Sequence, residues 1–263
     1  MEASVTARKP DQGLMEDQRK IVTILGVGID RMDMATAVSR VRRFLESGGP
    51  HMIVTADSAG VVKAQGDEEL LDIMRRADMV TPDSTGILLA ARLSGHPLVE
   101  RVSGIDLAQE ICRLCAESGD AIFLLGAGPG VAECAAARLM AQYPGLRIAG
   151  CHDGFFRDDG PIVDQIRESG AAVLFAAMGI PKQEKWIAKR LDELGVRVAI
   201  GLGGSFDVFS GNVRRAPLWM RQHGLEWAYR LARNPRKIAK VAHLPFFVFL
   251  VVAERMRQRR AGA

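Results

Sequence analysis

The feature that most constrains the fold is a rhythm: short runs that are apolar throughout alternate with longer stretches whose apolar residues recur at helical spacing. Residues 21–26, 52–55, 79–80, 121–125, 146–149, 171–178 and 196–201 read as strands. Between them lie predicted helices at 59–65, 68–77, 105–118, 131–143 and 162–168, with others after Asp33, Ser84 and Gln183. Strands without polar alternation are buried on both faces, and strands separated by helices run parallel. The pattern therefore predicts an α/β fold, a Rossmann-like parallel sheet with helices on both faces. Such sheets bind ligands beyond the carboxyl ends of their strands.

Polar or glycine-rich residues follow five of these strands: Thr55 and Asp57, Asp83 and Ser84, the 126–130 turn with Gly126 and Gly128, Gln183, and Gly203 with Gly204. All five exits share one edge if the sheet is parallel, which describes a site better than independent accidents do. Asp83 follows Thr81-Pro82, where proline biases the chain towards extended geometry and stops the strand. Its carboxylate has two readings, a helix N-cap accepting backbone N–H bonds or a general base held at a strand end.

The turn Gly126-Ala127-Gly128-Pro129-Gly130 can present N–H groups and a positive helix end to a diphosphate. It approaches the dinucleotide fingerprint G-x-G-x-x-G but has Val131 where the last glycine belongs. An NAD(P)-binding oxidoreductase is thus an alternative, poorly supplied because only Asp153 could serve the ribose after the next strand. A non-catalytic basic membrane adaptor is a third reading, at odds with the clustered exits. The chain has no P-loop, no H-E-x-x-H and no G-x-S-x-G, and its five histidines are scattered. No metal site and no cofactor are expected, so a diphosphate leaving group has to be neutralised by Arg, Lys and helix ends.

With 48% hydrophobic and 25% charged residues, the 263-residue chain suits one large globular domain, or one with an appendage. Cys112, Cys115, Cys134 and Cys151 are too unevenly spaced for a disulfide framework, and the C-x-x-C within a helical run reads as core. Residues 1–20 are polar, lack the apolar region of a secretory signal and read as a flexible tail. The net charge of +4 conceals an asymmetry: residues 214–260 hold 12 of the 35 basic residues and 2 of the 31 acidic ones. Within that stretch 244–253 is apolar, about half of what a helix needs to cross a bilayer. Flanked by arginines, it reads as an interfacial segment on an anionic membrane surface, with a core helix as the rival. The expected division is a tail at 1–20, a catalytic α/β domain at 21–212 and a basic helical appendage at 213–263.

Several strings together resemble the WecG/TagA/CpsF glycosyltransferases. They are Thr81-Pro82-Asp83 with Glu100-Arg101-Val102-Ser103-Gly104, Pro181-Lys182-Gln183-Glu184-Lys185-Trp186, Gly203-Gly204-Ser205-Phe206-Asp207, Arg215-Ala216-Pro217, and Gly224-Leu225-Glu226-Trp227-Ala228-Tyr229-Arg230-Leu231. The resemblance implies inverting, metal-independent transfer of a sugar from a UDP-sugar donor to a polyprenyl-diphosphate-linked saccharide acceptor, at the cytoplasmic face of the membrane. It implies Asp83 as general base, with Thr55, Asp57, Arg101 and Gln183 on the substrates. Arg230, Lys237 and Lys240 of the appendage would meet the diphosphate. Ser84 stands where the family has glycine, and Asp57 where it has asparagine. A carboxylate offers only acceptors in place of an amide's N–H donors, which favours a neutral hexose donor such as glucose over N-acetylmannosamine. Nucleic acid is not an expected partner, and a homo-oligomer is left open.

Overall fold

The computed structural model describes residues 20–233 and 243–261. The predicted alternation is present with one difference at its start. The first apolar run does not join the main sheet: β1 (Ile21–Ile24) turns at Leu25-Gly26 and pairs antiparallel with β2 (Val27–Asp30) as a separate hairpin. A two-residue turn with both φ values positive is the geometry that closes such a hairpin, and its Leu-Gly sequence gave little warning.

The main sheet has six strands, β3 (His51–Ala56), β4 (Met79–Pro82), β5 (Ala121–Gly126), β6 (Arg147–His152), β7 (Val173–Ala177) and β8 (Val198–Gly201). Their order is β4-β3-β8-β7-β5-β6, and every pairing is parallel. This is the α/β sheet that the sequence predicts. Successive side chains point to opposite faces, so each strand feeds two cores. Val54, Ala56, Phe123, Leu125, Leu174, Ala176 and Ala199 face one. Ile53, Ile122, Leu124, Val173, Phe175, Val198 and Ile200 face the other.

The first face is covered by α2 (Ser58–Ala64), α3 (Glu68–Arg76), α4 (Thr85–Leu93), α7 (Gly160–Glu168) and α8 (Lys182–Arg190). The second is covered by α1 (Met34–Ser47), α5 (Gly104–Ser118), α6 (Val131–Gln142) and α9 (Ser205–Phe209). Asp33 caps α1 by accepting from the Thr36 N–H at 2.8 Å. Cys112 and Cys115 lie buried on α5, and burial pushes the Cys115 thiol up to about 12. They are core residues, as their helical context suggests.

β4 is an edge strand, and its outer side is closed by the hairpin. Asp30, 1% exposed, accepts from the Val80 N–H at 2.7 Å while its other oxygen holds Arg40 at 2.8 Å. The carboxylate is deeply buried but paired on both sides, as a buried charge has to be.

Beyond the sheet come α10 (Leu218–Gln222), α11 (Glu226–Arg233) and α12 (His243–Ala261). α12 packs along α2 and α4, with Phe247 and Val251 in the first core and Glu254 accepting from the Leu25 N–H at 3.1 Å. Its opposite side exposes Phe246, Phe249, Val252 and Met256. The apolar run thus divides between the two readings that its sequence allows, one face serving as core and the other lying bare. No described helix is long and apolar enough to cross a membrane.

Candidate functional site

Because all six strands are parallel, the five polar exits do lie along one edge. At the β4 end, Asp83 donates its backbone N–H to the Ala56 carbonyl (3.0 Å) and accepts at Oδ1 from the Gly104 N–H (3.2 Å), the first amide of α5. It does not cap α4. That part belongs to Ser84, whose Oγ accepts from the Ile87 N–H at 3.3 Å and also lies 3.0 Å from Ser58 Oγ. The cap reading therefore holds one residue further on for α4, and Asp83 instead accepts from the first amide of α5.

The neighbouring exit is built as tightly. Thr55 donates from Oγ1 to the Gly201 carbonyl at 3.0 Å, tying β3 to β8. Asp57 caps α2 through a 2.6 Å bond from the Gly60 N–H, a task that aspartate and asparagine perform about equally. Gly104 allows α5 to start against this strand, since a Cβ there would fall 2.8 Å from Thr55 Cγ2.

Across the sheet the exits are different in kind. At β5, Gly126 has φ +130°, and a Cβ would fall 2.5 Å from the carbonyl carbon of Ala177 on β7. This glycine is dictated by strand packing before any ligand is considered. Gly128 and Gly130 lie clear of such neighbours, and Gly130 opens α6 with no side-chain cap. α8 and α9, after β7 and β8, likewise start without a side-chain cap. Uncapped helix starts keep N–H donors and a partial positive charge turned towards the edge. From the Asp83 exit to the Gly126 turn is four strand spacings, roughly 19 Å at about 4.8 Å each. That span suits an elongated ligand.

Gln183 is 3% exposed, and its amide is spent inside the protein. Oε1 accepts from the Gly179 and Gly203 N–H groups, both at 3.0 Å, and Nε2 donates to Glu184 Oε1 at 2.7 Å. The residue expected on the substrate instead joins the β7 and β8 exits. Glu184 is 1% exposed, and burial, with the charge of Asp57 adding, pushes its carboxyl up to about 7.

The chain after β8 returns to the Asp83 side. Arg215 makes a two-pronged pair with Asp106 on α5, at 2.6 and 2.7 Å. Burial works against the Arg215 charge, but Asp106, with Glu226 and Asp83 close by, holds the guanidinium more firmly protonated than usual. Burial would also raise Asp106, yet Arg215 and the Ser103 hydroxyl more than offset it and keep the carboxyl below its usual range. Gly224, at φ +72°, lies against Thr85 at the start of α4, where a Cβ would fall 2.8 Å from Thr85 Cγ2. Arg101 pairs with the buried Glu226 of α11 at 3.2 Å. Arg101 thus stands at the seam between body and appendage, within the loop that leads from α4 to α5.

Of the appendage cations, Arg230 belongs to α11, while Lys237 and Lys240 lie outside the described residues. The tail at 1–20 is described only at Lys20. Among the described residues no cluster of His, Cys, Asp and Glu is arranged to hold a metal ion. Sequence reasoning passed over Glu184, Asp106, Arg215 and Glu226 as functional residues. Glu184, Arg215 and Glu226 stand in the strings that carried the resemblance, so position in a motif was the available signal.

Chemically, the edge offers two carboxylates, Asp57 and Asp83, at one end and helix starts without side-chain caps, with glycine turns, at the other. That is equipment for taking a proton at one point and holding an anion at another.

Comparison with known proteins agrees. The model of the "Glycosyl transferase WecG/TagA/CpsF family" matches residues 22–261. An N-acetylglucosaminyldiphosphoundecaprenol N-acetyl-beta-D-mannosaminyltransferase of Bacillus subtilis (strain 168) is 35% identical over 193 residues, covering 73% of this chain and 75% of that protein. Proteins of the same name from Bacillus spizizenii and from Staphylococcus aureus (strain MW2) are 34% identical over 220 residues and 31% over 242. These alignments cover 84% of both chains and, for the Staphylococcus protein, 91% of this chain and 95% of that one.

Proposed function

The chain belongs to the WecG/TagA/CpsF family and is a glycosyltransferase, and on that footing we propose that it moves a hexose from a UDP-sugar to a polyprenyl-diphosphate-linked saccharide with inversion. The oxidoreductase and adaptor alternatives fall away with the family assignment. In the proposed reaction Asp83 takes the proton of the acceptor hydroxyl. The resulting oxygen nucleophile attacks the anomeric carbon, and the bond to the UDP oxygen breaks on the opposite face. The uncapped starts of α6 and α8, the Gly126 and Gly128 turn, and Gly203 with Gly204 receive the diphosphate. Arg230, Lys237 and Lys240 add positive charge from the appendage. Arg101 serves the same charge once it exchanges Glu226 for the ligand. Thr55 and Asp57 face the donor sugar, and Ser84 shapes that exit as the α4 cap. No step in this scheme calls for a metal or a cofactor.

The observation that carries this reading is the position of Asp83, aimed by the Gly104 N–H and close to Arg215 at the end of the edge that also bears the phosphate-type turns. Asp83→Asn tests it: the fold should persist while turnover falls roughly 10²–10⁴-fold. Near-normal turnover refutes the assignment.

Two donors remain in play, each with its own support. The relatives' names point to N-acetylmannosamine. Asp57 points to a bare hexose such as glucose, because its cap bond occupies Oδ1 and the remaining group is an acceptor where asparagine has N–H donors. UDP-N-acetylmannosamine and UDP-glucose, offered with a polyprenyl-diphosphate saccharide, separate the two by which one is consumed.

We further infer peripheral attachment to the cytoplasmic face of the bacterial plasma membrane, with residues 213–263 as the attaching part. The bare Phe246, Phe249, Val252 and Met256 stripe among basic residues supports this. Since Phe247 and Val251 belong to the body's core, removing the appendage is a poor test. Replacing Phe246 and Phe249 by Glu should abolish binding to anionic vesicles without unfolding the protein, and retained binding would refute the attachment.

A further inference from the structure

Glu184 is a buried ionisable group that the proposed reaction leaves unused, and its surroundings are those of a neutral acid. Oε1 accepts from the Gln183 amide at 2.7 Å, and Oε2 is buried with no hydrogen-bond partner. A carboxylate in that position would carry an uncompensated charge, which is far more costly than a neutral carboxyl.

The charged groups around it do not relieve this. Asp57 on α2 adds a second negative charge. Lys63 on α2 favours the charged form but gives its Nζ to the Ile180 carbonyl at 2.8 Å. On α8 itself, Lys185 is engaged by Asp67 and Glu69 of the α3 region, both at 2.8 Å, and Lys182 donates to the Gly154 carbonyl at 2.9 Å. Space is closed as well. A Cβ at Gly201, the last residue of β8, would fall 2.5 Å from Gln183 Nε2 and 2.9 Å from Glu184 Oε1.

Gln183 has two ways to face, and its partners settle which one it takes. Two backbone N–H groups, from Gly179 and Gly203, need its carbonyl oxygen, so its NH₂ must turn to Glu184. Gly179 and Gly203 both sit in the left-handed region, at φ +80° and +53°. One amide oxygen therefore fixes two exit turns at once, and the carboxyl behind it keeps that amide from rotating.

We propose that Glu184 is a positioning residue of the transfer reaction: as a neutral acid it orients Gln183, and Gln183 holds the Gly179 and Gly203 turns in the arrangement that receives the UDP diphosphate. This rests on the reading of the edge given under Proposed function. Ionisation of Glu184 leaves Gln183 its acceptor but places a second carboxylate beside Asp57, close to where a diphosphate has to sit. Burial brings that ionisation to about 7, so nucleotide affinity falls as the pH rises through neutrality.

The test is UDP binding by calorimetry between about pH 6 and about pH 8.5, for the wild type and Glu184→Gln, with exchange of the Gly179 and Gly203 amides followed by NMR. The free terminal phosphate of UDP itself titrates in this window, so the quantity read is the ratio of the two proteins' affinities. The expected result is a ratio that moves roughly tenfold against the wild type across the interval, one unit of linked ionisation. Both glycine amides should stay protected across the interval in the wild type and in the variant, since the Gln183 NH₂ keeps an acceptor in each. A ratio that stays constant, or Gly179 and Gly203 amides that exchange freely in the wild type, overturns the inference. If the variant does not fold, wild-type exchange decides: protected Gly179 and Gly203 amides support the inference and freely exchanging ones overturn it. Failure of UDP to bind the wild type at any pH is a different outcome, and it overturns the reading of the edge itself.

Discussion

The two ends of the carboxyl edge solve the same local problem in opposite ways. On the β3 and β4 side, each helix that follows a strand is capped by its own side chain, Asp57 for α2 and Ser84 for α4, so its first amides are satisfied from within. On the β5, β7 and β8 side, α6, α8 and α9 start without a side-chain cap, and glycines at positive φ stand in the turns. The first arrangement gives a rigid frame around the Asp83 exit. The second leaves the helix starts without side-chain caps, with the Gly179 and Gly203 amides held by Gln183. One edge thus carries two kinds of helix start, capped by side chains after β3 and β4 and without side-chain caps after β5, β7 and β8.

The largest expected effect falls on the capped half. Asp83→Asn should lower turnover by about 10²–10⁴-fold with little change in melting temperature, measured by sugar transfer and by thermal unfolding. On the uncapped half, Gly126→Ala should act on the fold before it acts on binding. Its Cβ meets the Ala177 backbone at 2.5 Å, and φ +130° is unsuited to any L side chain, so a loss of about 3 kcal/mol in chemical denaturation is expected. A normal stability for that variant would remove strand packing as the reason for this glycine.

Glu184 lies behind the β7 and β8 exits and has its own signature in stability. Its folded carboxyl ionises at about 7 against a reference of 4.5, so the folded state holds the extra proton between those values. Stability is then fully present below about pH 4.5 and declines as the pH rises to about 7, by about 3 kcal/mol at most. Glu184→Gln should remove that decline, which denaturation at a series of pH values can check. A smaller effect is expected from Ser84→Ala, about 1 kcal/mol for a lost cap. Asp57→Asn should be nearly neutral for stability, since either residue caps, and any change it makes should show in donor preference.

The sheet was legible because strands buried on both faces leave a continuous apolar signature, and 171–178 or 121–125 hardly admit another reading. The opening hairpin was less so, because residues 21–26 carry the same signature and the Leu25-Gly26 turn is an unusual one for a hairpin. The exits could be located but not assigned. Nothing in the order of residues tells that Ser84 rather than Asp83 caps α4, or that Gln183 turns its amide inward, since both depend on partners 20 or more positions away such as Gly104 and Gly203. Arg101 was read for its charge, while the acid that pairs with it, Glu226, comes from a helix that follows the whole sheet. The apolar run of α12 shows the same limit. Composition identified it, but only its neighbours α2 and α4 decide which residues turn inward.

The way the hairpin closes β4 bears on self-association. Val80 and Pro82 alternate on the outward side of that four-residue strand. The Val80 amide is taken by Asp30, and proline has no amide to offer. A second copy arriving alongside therefore finds no ladder to extend. Strand pairing between two copies is thus closed off at β4 and would have to use the opposite edge of the sheet, β6, or the hairpin.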